Sequence, residues 1–594
     1  MKNFSCLRPY SHLLLILLIG GMAYSNSFQA PFTLDDLTSI VHNPWIGKPG
    51  DFLPGGPGYE FMPRRWVVYL SLSLNHYFGG LEVGGYHLVN LSIHLATALL
   101  VYALVILTFR TPNLATSRLT EQAPIAALLF VAHPVQTQAV TYVVQRLTSL
   151  ATFFYLASLV LYVLARLGGE KRRDGGSWQT VLLLTAATMA ALLAMKSKEI
   201  AFTLPLAAAL YEWCFFRDAW SRRLLFLLPL LATLLIIPLG IMIGAGEAGT
   251  GVGEQLRAQT DIPRLHYLIT QLRVIVTYLR LLILPLNQNL DYDYPIFTTF
   301  LTLPVILSCL LLLGLLLLAG YLFHRSAPSR SPSFSGDPAL RLVAFGIFWF
   351  FLTLAVESSF VPILDVIFEH RLYLPLAGLA PAIAVAMLLL SEKSKAFFHG
   401  RIPLLAAALI IISLSVATWQ RNAVWADNIT LWQDVLRKSP GKVRPWYNLG
   451  CYLYEAGRAE QAIRVLSQAV RMDPEHADAW HNLGLSHLLL NRVQEAVPLL
   501  RRAVRLNPEL SNAIANLAVA LIRAGQPGEA ILILERNIER FAAWPEVHLN
   551  LGIAYAITGN LATAQRQLAV LDHLAPHLTP ALRANIAQAS SLIQ

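Results

Sequence analysis

Leu13-Leu14-Leu15-Ile16-Leu17-Leu18-Ile19-Gly20-Gly21-Met22-Ala23 carries no charge, and ten residues beyond it Thr33-Leu34-Asp35-Asp36-Leu37-Thr38 opens a polar loop. An apolar run that ends beside two carboxylates places acid groups at the edge of a bilayer. Adjacent carboxylates repel, so a site holding both brings a cation, a hydroxyl donor or a shared proton to compensate. The competing reading is a helix cap, because Asp is favoured at N-caps.

The whole composition agrees with a membrane setting. At 594 residues, 55% hydrophobic and 13% charged, the chain is too apolar for a soluble protein and reads as polytopic. Its formal net charge of +10 is not a nucleic-acid footprint, since the Lys and Arg excess falls between apolar runs, where topology signals belong. No nucleic-acid partner is expected. Cys6, Cys214, Cys309 and Cys451 are scattered and give neither a disulfide framework nor zinc spacing. Lys2 and Arg8 precede the first run, which lacks a small-x-small cleavage site and reads as an uncleaved anchor. Residues 28–85, rich in Gly and Pro, form the first large outer loop with short amphipathic helices.

Further runs able to cross a bilayer, at about 20 residues each, recur near 87–109, 123–140, 148–166, 178–195, 200–217, 224–245, 301–323, 341–357, 372–390 and 402–419. With the first, eleven spans are expected. Tyr267 to Leu284 is interrupted by Gln271, Arg273 and Arg280, and a central Arg costs about 2.5–3.5 kcal/mol on insertion, so it is placed at the interface or re-entrant. The segments Arg110–Gln122, Arg166–Ser177, Arg217–Arg223, His324–Arg341 and Glu392–Arg401 then fall on one side, which the positive-inside rule makes cytoplasmic. The Asp35-Asp36 loop, Asp291-Tyr-Asp293-Tyr-Pro295, Glu369-His370-Arg371 and the C-terminus lie opposite.

After Thr418 the pattern changes. Asn-Leu-Gly at 448–450 and 482–484 becomes Asn-Leu-Ala at 516–518 and returns at 550–552, a 34-residue period. Ala462, Ala496, Ala530 and Ala564 keep the register, as do Pro474, Pro508 and Pro576. This is the tetratricopeptide (TPR) pattern, in which small residues let two helices pack closely and Pro closes the second. The chain is therefore all-α: a membrane helix bundle over 1–420, a connecting helix over 421–442, four repeats over 443–578 and a capping helix over 579–594.

Several constellations could carry chemistry. Pro134 in His133-Pro134-Val-Gln136-Thr-Gln138 breaks a helix and frees backbone groups that a polar site can use, with Arg146 eight residues beyond Gln138. The alternative is a kinked helix with a satisfied His133. Lys196-Ser-Lys198-Glu199 puts a basic pair on the outer side, where it needs an anionic partner; the alternative is a surface ion pair. Glu369-His370-Arg371-Leu-Tyr373 sets ionisable groups where hydrocarbon begins, and such groups are costly and functional. A guanidinium there can grip a phosphate bidentately, unless Glu369 simply neutralises Arg371. Together these fit sugar transfer from a polyprenyl phosphate, with a carboxylate as general base and cations holding the departing phosphate.

These residues resemble the transmembrane and tetratricopeptide-repeat family of protein O-mannosyltransferases, which have the GT-C fold. The likeness runs through Asp35-Asp36, Tyr86-His-Leu-Val-Asn90 with His94, His133-Pro134, Lys198-Glu199, Glu369-His-Arg-Leu-Tyr-Leu-Pro375, Arg421-Asn422 with Trp425, and the repeats. The resemblance implies a polyprenyl-phosphate sugar donor, a Ser or Thr acceptor on a translocated protein, and inverting transfer on the outer or lumenal side. It maps the catalytic carboxylate onto Asp35 or Asp36. Arg371, His370, Arg146 and Lys198 are then expected at the donor phosphate, with His133, Glu199, Glu369, Tyr373, Asp291 and Asp293 in support. Family members commonly show His and Glu where this chain has Gln136 and Gln138, which argues against catalysis at that stretch. No cofactor is called for beyond the lipid-linked sugar, and a metal requirement is left open. Short repeats and a compact anchor look bacterial, which puts the loop and repeats in the periplasm, or in the lumen if the chain is eukaryotic. The repeats would recruit the acceptor or a partner protein on their concave face. The alternative from another class is a non-catalytic membrane-anchored TPR scaffold for envelope assembly. A transporter of lipid-linked sugars would show inverted hydropathy repeats, and none is present.

Overall fold

A computed structural model describes the chain except residues 1–7, 115–121, 172–177, 248–259, 261, 328–336, 360, 394–401 and 594. Cys6 and most of Glu392–Arg401 lie outside the described residues. The described residues form helices joined by loops, without strands, and fall into two compact units, Met1–Asp427 and Asn428–Gln594. The boundary lies a few residues beyond the expected 420, because helix Ile402–Val424 runs on past it, and the next helix, Asn428–Lys438, belongs to the second unit.

In the first unit, α1 (Arg8–Ala23), α2 (Trp66–Gly79), α3 (Val83–Thr108), α4 (Gln122–Ala132), α5 (Arg146–Lys171), α6 (Trp178–Met195), α7 (Leu204–Phe215), α8 (Trp220–Ala232), α9 (Arg264–Ile283), α10 (Leu303–Arg325), α11 (Ala339–Leu354), α12 (Tyr373–Lys393) and α13 (Ile402–Val424) build the bundle. Among the described residues, seven helices are long and apolar enough to cross a membrane, or eight if the pair Gln122–Ala132 and Pro134–Val140, bent by 49°, counts as one span. The chain is an integral multi-pass membrane protein. Among the described residues eleven spans are not reached: α1 and α11 have 16 described residues each and α7 has 12. At about 1.5 Å per residue these helices fall short of the hydrocarbon thickness, because flanking turns take up residues that a hydropathy window counts as span.

The two ends of the bundle differ in chemistry. At one end Arg166 pairs with Glu212 and, at 2.6 Å, with Asp218. Arg222 donates to Gly169 O at 3.0 Å, Asn113 donates to Cys214 O at 3.1 Å, and Arg341 donates to Ser326 Oγ at 3.0 Å and Cys214 O at 3.3 Å. Four of the basic segments thus meet at one end. α9 keeps to the other: Tyr267 donates to Glu357 O, Gln271 to Val366 O, the Phe368 N–H to Tyr278 Oη, and His133 Nε2 to Leu282 O, from its first turn to its last. Along its whole length it is therefore bonded to the 357–368 segment and to the His133 turn.

In the second unit the paired helices Val443–Glu455 and Ala459–Met472, Ala477–Leu489 and Val493–Leu506, Ser511–Arg523 and Pro527–Asn537, and Pro545–Ile557 and Leu561–Leu574 form four repeats, followed by Thr579–Ile593. A Cβ on Gly450 would meet Leu466 at 2.5 Å, and one on Gly484 would meet Leu500 at 2.7 Å. Glycine in Asn-Leu-Gly is therefore what lets the first two pairs close, while the third has Ala518 and Gly552 of the fourth faces Leu582 of the last helix. The turn within each repeat needs a left-handed residue, filled at the same 34-residue period by Gly457, Asn491, Gly525 and Gly559. Trp446 and Trp480 donate their indole N–H to Pro440 O and Pro474 O, and His548 repeats this on Ala542 O at 2.9 Å. Ile514, at the equivalent position, has no ring donor.

Candidate active site

The site is built on a break. Pro134 has no N–H, so the helix that α4 begins cannot continue. His133 turns extended, its Nδ1 accepts the Val135 N–H at 3.2 Å and its Nε2 donates to Leu282 O at 3.0 Å. It serves the kink. A broken helix at membrane depth leaves main-chain groups that cost free energy unless paired, and polar side chains take them one by one. His94 Nε2 donates to Val131 O, Thr418 to Ala132 O, Gln288 to Pro134 O, and Asn90 to Val140 O and Val143 O. Because His94 donates through Nε2, its Nδ1 accepts from Tyr373 Oη at 2.8 Å, which makes Tyr373 a support of the break. Thr141 donates to Asn422 Oδ1 at 2.6 Å and Asn422 donates to Ala23 O, while Trp425 packs on Tyr142.

The acidic loop docks on the same stretch, and the two aspartates part company there. Asp36 is 1% exposed; its Oδ2 accepts the Thr33 N–H at 3.1 Å and its Oδ1 the Val144 N–H at 2.7 Å. Asp36 precedes the turn Leu37–Val41 but its carboxyl makes no capping bond to it; instead it staples the loop to the break. Burial pushes its carboxyl up to about 8, against the pull of those N–H donors. Leu34 stands at φ +47°, a left-handed backbone that a branched side chain adopts only under strain. It turns the next residue outward: Asp35 is exposed, held by its main-chain N–H to Tyr142 Oη at 2.9 Å.

A few residues along from Val144, Thr148 accepts a hydrogen bond from Lys198 Nζ at 2.9 Å, and Lys198 pairs with Glu357 at 2.8 Å. The anionic partner that Lys198 needs is thus within the chain. Burial lowers the Lys198 ammonium from its ordinary value, and the Glu357 carboxylate opposes that shift. Glu199 grips Arg65 through two bonds of 3.2 and 3.0 Å. Arg371 donates to Val366 O and Asp365 O, and the His370 N–H donates to Gln138 Oε1 at 2.8 Å. Glu369 does not pair with Arg371. Its Oε1 accepts from the Asn289 N–H and from Tyr292 Oη, both at 2.6 Å, and its Oε2 from Gln288 at 2.7 Å. It thereby holds the 288–292 loop, which includes buried Asp291, against the break; Asp293 is exposed. Arg146 is buried and donates to Asn90 Oδ1, Ser71 O and Tyr86 O, tying α2, α3 and α5 together. Its guanidinium is committed to the scaffold. Glu357, Arg65, Asn90 and Asn422 were not picked out as site residues from sequence, although Asn90 and Asn422 lie in polar patches within apolar runs, a signal that could have flagged them.

A multi-pass helical membrane unit with an acidic loop and buried cations gathered on a broken helix, followed in sequence by a tetratricopeptide solenoid, defines the class. Models of the tetratricopeptide repeat match residues 447–511 and 487–548. The chain is similar to protein O-mannosyl-transferase TMTC3 of Mus musculus, 24% identical over 514 residues that cover 78% of this chain and 51% of the relative. It is likewise similar to protein O-mannosyl-transferase F38B6.6 of Caenorhabditis elegans, 24% identical, covering 78% of this chain and 62% of that protein. The solved TPR protein YrrB matches with a TM-score of 0.25 and 21% identity, covering 27% of this chain and 82% of its own. The resemblance to the transmembrane and tetratricopeptide-repeat O-mannosyltransferases is borne out over most of the chain, which spans about half the length of the curated relatives it matches.

Proposed function

We propose that this chain is a membrane glycosyltransferase that moves a hexose, mannose foremost, from a polyprenyl-phosphate donor to Ser or Thr of a translocated protein. The observation that carries the reading is the presentation of Asp35. A strained Leu34 turns its carboxylate outward while Asp36 locks the loop onto the segment that also reaches Lys198 through Thr148. An exposed carboxylate held on a fixed loop is suited to general-base work. In the reaction, Asp35 takes the proton of the acceptor hydroxyl as that oxygen attacks the anomeric carbon. The carbon–oxygen bond to phosphate breaks with its electron pair leaving on the phosphate, and the anomeric configuration inverts. Lys198 and Arg371 receive the developing phosphate charge. Arg146 and Asp36 position these groups without touching substrate.

The basic end faces the cytoplasm by the positive-inside rule, so the loop end is extracytoplasmic, the periplasm of a bacterial cell. The repeats hold the acceptor or a partner protein. The names of the relatives support protein O-mannosylation as the activity class. The test is transfer by the purified full chain from undecaprenyl-phosphate mannose to a Ser/Thr peptide, with the new linkage read by mass spectrometry and NMR. A new O-linked hexose of inverted configuration is the expected product. Specific donor binding without transfer to any peptide or protein acceptor would favour the scaffold.

A further inference from the structure

Gln136 is fully buried, yet neither its carbonyl oxygen nor its amide nitrogen hydrogen-bonds to a protein atom. Two groups beside it share that condition. Gln138 commits its carbonyl to the His370 N–H and leaves Nε2 unpartnered, and His370 Nδ1 is unpartnered too. The turns Pro134–Gln136 and Thr137–Val140 both pack against the turn Glu369–Leu372, so the three residues belong to one junction. Burying amide and imidazole groups without partners is costly, and nearly all such groups in folded proteins are paired. The surroundings are not loosely built: the carbonyls of Val131, Ala132, Pro134, Val140 and Val143 each have a side-chain donor.

What remains unpaired among the described residues is a set of neutral groups offering donors and an acceptor at one junction. An amide presents one of each, which complements neighbouring hydroxyls that both donate and accept. Arg371 follows His370 directly in the chain. We propose that Gln136, Gln138 and His370 form the subsite for the hydroxyl groups of the donor's sugar ring, beside the cations assigned above to its phosphate. This rests on the lipid-linked donor reading and adds which part of the donor the neutral groups take. Gln136 is a specificity-determining residue on this view, and Gln138 also positions His370 through its main chain.

The test uses the full chain in nanodiscs, titrated with undecaprenyl phosphate and with undecaprenyl phosphate bearing mannose or glucose. For the wild type, one sugar-bearing probe binds more tightly than the bare phosphate. In Gln136→Leu that preference shrinks by about 3- to 10-fold, the equivalent of one hydrogen bond, while the affinity for bare phosphate holds. The same variant raises the donor-free Tm, because Leu removes an unpaired buried amide that supports nothing in the protein. Gln136→Met is read in the same way if the leucine protein does not fold. A full sugar preference in the variant overturns the subsite and leaves the lipid-linked donor reading standing. So does a lowered Tm with the preference intact, which would make Gln136 part of a structural network. A wild type that binds bare phosphate and shows no sugar preference overturns the subsite alone, and a wild type that binds no probe overturns both readings.

Discussion

Replacing Asp36 by Ala should unfasten the loop and the broken helix together. The side chain accepts the Thr33 N–H at 3.1 Å and the Val144 N–H at 2.7 Å, and both bonds are buried. Removing the acceptor leaves two donors with no partner, at about 1–3 kcal/mol each, or about 2–6 kcal/mol in all. Asp36→Asn keeps one acceptor but turns an NH₂ toward the other donor, so its cost is about half. These losses are local, because the flanking helices are held by Asn90, Asn422 and Thr418 independently of Asp36. Hydrogen–deuterium exchange of the nanodisc-embedded protein reads them directly. Peptides over 30–41 and over 141–148 should both exchange faster in Asp36→Ala, by about 30-fold or more at the lower figure of 2 kcal/mol. Faster exchange in the loop alone, or in neither segment, would refute the claim that Asp36 is the staple.

Three further outcomes are expected. The folded Asp36 carboxyl, at about 8 against an ordinary 3.8, binds its proton more tightly than in the unfolded chain. Its contribution to stability is therefore complete below about 4 and lost as pH rises through about 8, and thermal melts of wild type should show that decline while Asp36→Asn does not. Lys198→Met leaves the Glu357 carboxylate without its partner 2.8 Å away and should cost about 3–5 kcal/mol, whereas Lys198→Met with Glu357→Met recovers most of it; denaturant titration of all three proteins decides. Gly484→Val puts a Cβ within 2.7 Å of Leu500 and should destabilise the second repeat by about 1–3 kcal/mol, read by pulse proteolysis of the full chain.

The repeat domain was legible from one dimension because its contacts are local: the 34-residue period that relates Gly450 to Gly484 also relates Leu466 to Leu500, which they meet. The left-handed turn positions were written in the same period, with Asn491 standing in for Gly. The break at Pro134 was legible because missing backbone donors are a property of the residue itself. Span lengths were not, since hydropathy does not show where a turn begins. The difference between Asp35 and Asp36 was hidden for a different reason. It depends on the backbone angle of Leu34 and on a main-chain N–H 108 residues away in sequence. Arg146 shows the same limit: next to a polar break a guanidinium looks like a phosphate ligand, and only the placement of Asn90, Ser71 and Tyr86 around it reveals a brace.

The central claim is that Asp35, and not Asp36, removes the proton from the acceptor hydroxyl. Single-turnover transfer by the purified full chain, with donor saturating, tests it in Asp35→Asn. Asn keeps the size and the main-chain bond to Tyr142 but cannot take a proton, so the rate should fall by about 10²–10⁴ with donor affinity unchanged. Transfer by Asp35→Asn at the wild-type rate would contradict the account.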